Sequence, residues 1–67
     1  MTNTNLLKAK IKEKGLIQST AASKIGISAQ SLNAKINGKK DFSSTEILLL
    51  HNLLGIKKED IGSIFFI

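Results

Sequence analysis

The chain has no cysteine, no proline, no tryptophan and no tyrosine. Without cysteine there is no disulfide staple, no thiol nucleophile and no thiolate metal site. A single histidine, His51, excludes a metal centre built from clustered histidines. No apolar run approaches the roughly 18 residues that a membrane span requires, so no membrane partner is expected. The opening MTNTNLLKAK lacks the charged-then-apolar order of a secretory signal, which leads to the expectation of a cytoplasmic protein. With 67 residues the chain is expected to form one domain, residues 1–67. A domain of that size buries only about 60% of its unfolded surface. That leaves little room for an enclosed substrate pocket of several hundred Å³. The absences therefore point to a binding module with no catalytic residue, no cofactor, no metal and no small-molecule substrate.

What is present is lysine. Ten basic residues, all of them lysine, stand against five acidic ones, for a formal net charge of +5. Such a balance suits a polyanion, because each lysine that meets a phosphate releases condensed counterions. The lack of arginine removes the usual bidentate reader of guanine and leaves lysine as a point charge.

Glycines at 15, 26, 38, 55 and 62 cut the chain into helix-sized pieces. The first is Asn5–Lys14, with Thr4 as its expected N-cap and Leu7 and Ile11 on its inner stripe. Lys8 and Lys12 read as a solvated face. The second is Gln18–Ile25, where Ala21, Ala22 and Ile25 form an apolar face at helical spacing. The third is Ser28–Asn37, capped by Ser28 and anchored by Leu32 and Ile36. Ser43-Ser44-Thr45-Glu46 is a capping box that opens a fourth helix, ending near Leu54. His51 falls in its apolar arc and reads as a packed residue rather than a ligand or base. Leu49 and Leu53 lie on the flank, as peripheral core or as a contact face. A short helix is expected near Lys58–Ile61. In the terminal Ile64-Phe65-Phe66-Ile67, at least one Phe should fold back onto the core, leaving the others for a subunit interface. No hairpin signal appears, so the expected fold is all-α, a compact five-helix domain.

The run from Gln18 to Gly38 has the form of a helix-turn-helix, at about residues 18–37. Ala22 is small where two helices cross, Gly26 can take positive φ in the turn, Ile27 plugs the corner and Ser28 caps the second helix. Leu32 and Ile36 anchor that helix and so turn its other side outward.

On these residues the chain resembles the λ-repressor-like (Cro/C1-type) helix-turn-helix regulators, most of all the short Cro-like ones of temperate phages. The matching residues are Gly15-Leu16, Gln18, Ala22, Gly26-Ile27-Ser28, Leu32, Asn37-Gly38-Lys39 and Leu54-Gly55-Ile56. Two positions depart from the pattern. Ala21 stands where a larger aliphatic is common, and Ile17 where a Ser or Thr usually caps the second helix. The resemblance implies that the helix Ser28–Asn37 enters the major groove of double-stranded operator DNA. Its base-facing positions are then Ser28, Ala29, Gln30, Asn33 and Ala34. Gln30 and Asn33 can each pair bidentately with adenine, and Ala29 can touch a thymine methyl. Gln18, Ser31, Lys35, Asn37, Lys39 and Lys40 are the expected phosphate contacts, with Asn37 equally readable as a plain helix end. Leu49, Leu53, Phe65, Phe66 and Ile67 are the candidates for a dimer or partner interface.

Two functions fit this sequence. One is a sequence-specific transcriptional regulator, a Cro-like repressor in a phage lysis/lysogeny switch, binding DNA as a homodimer. The other is a helix-turn-helix modulator or antirepressor that acts by binding a phage repressor protein. An alanine-rich reader helix without arginine and a greasy C-terminus keep the second open.

Overall fold

The computed structural model describes residues 1–66, and its first four helices follow the glycine punctuation closely. Gly62, by contrast, falls inside the last helix, which begins at the end of the expected Lys58–Ile61 rather than covering it. They are α1 (Thr4–Glu13), α2 (Gln18–Ile25), α3 (Ala29–Ile36), α4 (Ser44–Leu54) and α5 (Ile61–Phe65), with a 3-10 turn over Lys58–Asp60 before α5. Among the described residues there is no strand, and the fold is all-α. The Cα radius of gyration is 10.4 Å.

Local chemistry explains most boundaries. The Ser28 hydroxyl accepts the Ser31 N–H at 3.0 Å and starts α3. At α4 both halves of the capping box are formed: the Ser43 hydroxyl accepts the Glu46 N–H at 3.1 Å, and the Glu46 carboxylate accepts the Ser43 N–H at 2.9 Å. At α1 the cap is one residue earlier than expected. Asn3, not Thr4, accepts the Leu6 N–H, at 3.1 Å. Thr4 has a longer-range partner: its hydroxyl donates to the Ile36 carbonyl at 2.7 Å and ties α1 to the end of α3. Ile17 leads into α2 with no side-chain cap at all.

Helices α1 to α4 end alike. The residue after the glycine sends its N–H back to a carbonyl in the last turn: Leu16 to Ile11, Ile27 to Ala22, Lys39 to Ala34 and Ile56 to His51. Gly26 shows why glycine is needed. Its φ is +81°, yet a Cβ there would meet nothing within 4 Å, so the requirement is the left-handed backbone rather than space.

One core joins the helices. Leu7 and Ile11 (α1), Ala21, Ala22 and Ile25 (α2), Leu32 and Ile36 (α3) and Leu50 and Leu54 (α4) all face it. Ala21 and Ala22 keep α2 close to its neighbours, and both are fully buried. The smaller Ala21 is therefore a close-packing position here. His51 is half-buried, and its Nδ1 is buried without a hydrogen-bond partner.

The C-terminus corrects one expectation. Phe65 is not available to a partner. It is 4% exposed and stacks edge-on against Phe42, with ring centroids 5.4 Å apart and planes at 81°. Phe66 points outward and is 66% exposed. Ile67, also expected at an interface, lies outside the described residues.

Candidate nucleic-acid interface

Helix α3 is positioned by what it buries. Leu32 and Ile36 have no exposed surface, so the rotation of α3 about its axis is set by the core. That rotation leaves Ser28, Ala29, Gln30, Asn33 and Asn37 exposed along one side, with Ser31 and Ala34 half-buried beside them. Gln18, at the start of α2, is half-buried as well.

Within this face, Asn37 donates its side-chain amide to the Asn33 Oδ1 at 3.1 Å. The bond orients Asn33 and leaves its own amide group free to donate. A carbonyl oxygen has two lone pairs, so Oδ1 retains acceptor capacity. Asn33 can thus present both the donor and the acceptor that an adenine edge requires. The Ser28 hydroxyl is occupied as an acceptor by the cap but keeps its proton to donate.

The helix-ending corners reveal a difference that bears on function. In the corners after α1, α2 and α4 the residue following the glycine is Leu16, Ile27 or Ile56, and each packs on the core. In the corner after α3 that position is Lys39, and it is exposed, as is Lys40. An aliphatic plug is the usual companion of this helix ending. With Lys39 in that place and Lys40 beside it, two cations stand at the end of α3, next to its exposed polar face.

Lys35 is placed differently from the expectation of a free phosphate clamp. Its ammonium lies 2.7 Å and 2.6 Å from the two carboxylate oxygens of Glu46, and the two side chains are only 14% and 13% exposed. Burial pushes the Glu46 carboxyl up. The hydrogen bonds from Lys35 and from the Ser43 backbone, together with the Lys35 charge, outweigh it and leave the carboxyl below its ordinary value. Sequence alone reveals Glu46 as a capping residue and gives no sign of this second partner.

The apolar candidates divide. Leu53 packs against the core, whereas Leu49 is 38% exposed. Leu48, which the helical wheel does not single out, is 57% exposed. Ile17 is 68% exposed at the uncapped start of α2. Among the described residues, no group of three His, Cys, Asp or Glu side chains comes together to hold a metal ion, and no helix is long and apolar enough to cross a membrane.

Residues 7–61 match the model of the helix-turn-helix family. No curated protein matches the chain. The matched span starts at the first buried residue of α1, takes in the whole of α2, α3 and α4, and ends at the start of α5. With α2 and α3 meeting across the Gly26 turn inside that span, this chain belongs to the Cro/C1-type helix-turn-helix family of DNA-binding transcription regulators.

Proposed function

We propose that this protein is a Cro-like repressor that binds operator DNA as a homodimer and acts in a phage lysis/lysogeny-type switch. The observation that carries the proposal is the outward face of α3. Gln30 and Asn33 stand exposed on a helix whose rotation is locked by fully buried Leu32 and Ile36, and Ala29 is exposed at its first position. In this reading α3 lies in the major groove, and Gln30 and Asn33 read base edges with Ser28, Ala29 and Ala34 beside them. Gln18, Ser31, Asn37, Lys39 and Lys40 hold the phosphates. Two copies meet half-sites about one helical turn, roughly 34 Å, apart. The exposed Leu48, Leu49 and Phe66 supply the apolar surface for that pairing. The Cro-like role within a phage switch rests on the resemblance of Gln18, Ala22, Gly26 and Asn37-Gly38-Lys39 to the short regulators of temperate phages.

The same exposed Leu48, Leu49 and Phe66 favour one other reading, a modulator that docks on a phage repressor and binds DNA only weakly. Fluorescence anisotropy separates the two. The purified protein is titrated onto a labelled duplex from upstream of its own gene and onto a scrambled duplex, at two salt concentrations. Binding that persists at physiological salt, tens- to thousands-fold above the scramble, is the expected result. Weak binding, equal on both duplexes and lost at higher salt, would overturn it in favour of the modulator.

A further inference from the structure

We infer that the Lys35–Glu46 pair is a positioning latch for the reader helix, and that Lys35 is not one of the residues that hold the DNA backbone. The inference rests on the DNA-binding reading above and assigns two residues a role within it.

The last turn of α3 is held from two sides. From α1, the Thr4 hydroxyl donates to the Ile36 carbonyl at 2.7 Å. From α4, both Glu46 oxygens take the Lys35 ammonium, at 2.7 Å and 2.6 Å. Glu46 is itself fixed, because its carboxylate also accepts the Ser43 N–H at 2.9 Å and its own N–H is held by the Ser43 hydroxyl. One carboxylate therefore joins the end of α3 to the start of α4. Between those two points runs the segment 37–43, which carries the exposed Lys39 and Lys40. Pinning both ends of that segment fixes where its two cations stand relative to Gln30 and Asn33.

Lys35 itself is poorly placed to do more. At 14% side-chain exposure, it would have to leave two short charge-assisted bonds to reach a phosphate. Leaving would strand the nearly buried Glu46 carboxylate without its counter-charge. The pair's benefit to binding is thus geometric: it holds the reading side chains and the backbone clamps in one register, and a site loosened by about 1 Å loses much of its selectivity.

Contact and positioning make opposite predictions. The probe is a labelled duplex selected by the wild-type protein from a randomised pool, with its scramble as reference. Losing a phosphate contact weakens both duplexes alike and lowers the salt slope by about 0.9. Losing a latch leaves the slope unchanged and reduces discrimination. For Lys35→Met we expect an unchanged slope and discrimination reduced by about tenfold or more. Lys35→Arg should restore most of it, since guanidinium also grips a carboxylate with two bonds. Glu46→Gln is the decisive variant, because glutamine preserves the capping box while removing the charge. A latch predicts poorer discrimination. A clamp freed from its acid predicts tighter binding and a steeper slope.

Hydrogen exchange on the free protein supplies an arm that needs no DNA. The Asn37, Gly38 and Lys39 amides bond back to Asn33, Lys35 and Ala34 carbonyls in the last turn of α3. In Glu46→Gln they should exchange faster, while amides of α1 stay protected. The inference is overturned if Glu46→Gln binds more tightly with a steeper slope, if Lys35→Met lowers the slope, or if the three amides keep wild-type exchange. Selection that yields no preferred duplex overturns the DNA-binding reading instead, and the exchange arm then decides the latch alone.

Discussion

Helices α3 and α4 obey the same burial rule and present opposite surfaces. Each anchors itself through two aliphatic residues four apart, Leu32 and Ile36 in one and Leu50 and Leu54 in the other. Outward, α3 shows Gln30, Asn33 and Asn37, whereas α4 shows Leu48 and Leu49. The first surface carries paired donors and acceptors, which suit base edges. The second is led by two large aliphatic side chains, with Thr45 and Asn52 as exposed polar neighbours one turn away, and suits another apolar surface. The difference teaches that the core decides only which way a helix faces. What the helix then does depends on residues that contribute little to its folding.

That division can be broken most forcefully from inside. Leu32→Ala should cost about 2–5 kcal/mol in a denaturant titration, because it empties a fully buried site in the core. On so small a domain α3 should lose its fixed orientation along with its stability. If Leu32→Ala leaves the denaturation midpoint near wild type, the anchoring account of α3 fails.

Acid should act at the junction of the two helices. The Glu46 carboxyl is held below its ordinary value in the folded chain, so its contribution is fully present above the unfolded-state pKa. It is lost as pH falls through the lower, folded-state value. Thermal unfolding followed downward through the acidic range should show this loss, and Glu46→Gln should flatten that part of the curve. An identical acid profile in the variant would remove Glu46 from the account.

Asn33→Ala and Gln30→Ala should sharpen the contrast, because both residues are exposed. Each should cost on the order of 1–3 kcal/mol of discrimination at one base position while hardly moving the unfolding curve. Full discrimination in Asn33→Ala would show that the reading face has been wrongly assigned.

Ile17→Ser tests a defect outside both helices. It gives α2 the hydroxyl cap it lacks and removes an exposed aliphatic, for a gain of about 1 kcal/mol. The smallest effect on stability is expected for Leu48→Ser, within about 0.5 kcal/mol, since the side chain is already largely in solvent. Its consequence should be read by sedimentation, as loss of the proposed dimer on DNA. A dimer that survives both Leu48→Ser and Leu49→Ser would place the subunit contact elsewhere.

Much of the fold is legible along the chain because it is local. Ser28, the capping box at Ser43 and Glu46, and the glycines at 26 and 55 act within a few residues of themselves, so composition and spacing reveal them. The α3 face is legible for the same reason, since Leu32 and Ile36 four apart dictate what lies opposite. Helix α4 is harder. Its run Ile47-Leu48-Leu49-Leu50 is apolar all round. The helical wheel gathers Ile47, Leu50 and Leu54 on the inner side, but it leaves Leu49 and Leu53 alike on the flank, where Leu53 packs on the core and Leu49 is exposed. Among the lysines, charge alone cannot separate Lys39, which is exposed, from Lys35, which is paired.

The sequence by itself determined where α2, α3 and α4 begin and end, which side of α3 faces outward and that the chain is strongly basic. These follow from hydrogen bonds, backbone angles and charge carried by neighbouring residues. Only the tertiary structure decided that Phe65 belongs to the core with Phe42, that Thr4 holds the end of α3 rather than capping α1, and that Lys35 is held by Glu46. Each of those depends on two groups far apart in the chain being brought within a few ångströms, and such a meeting is set by the packing of whole helices.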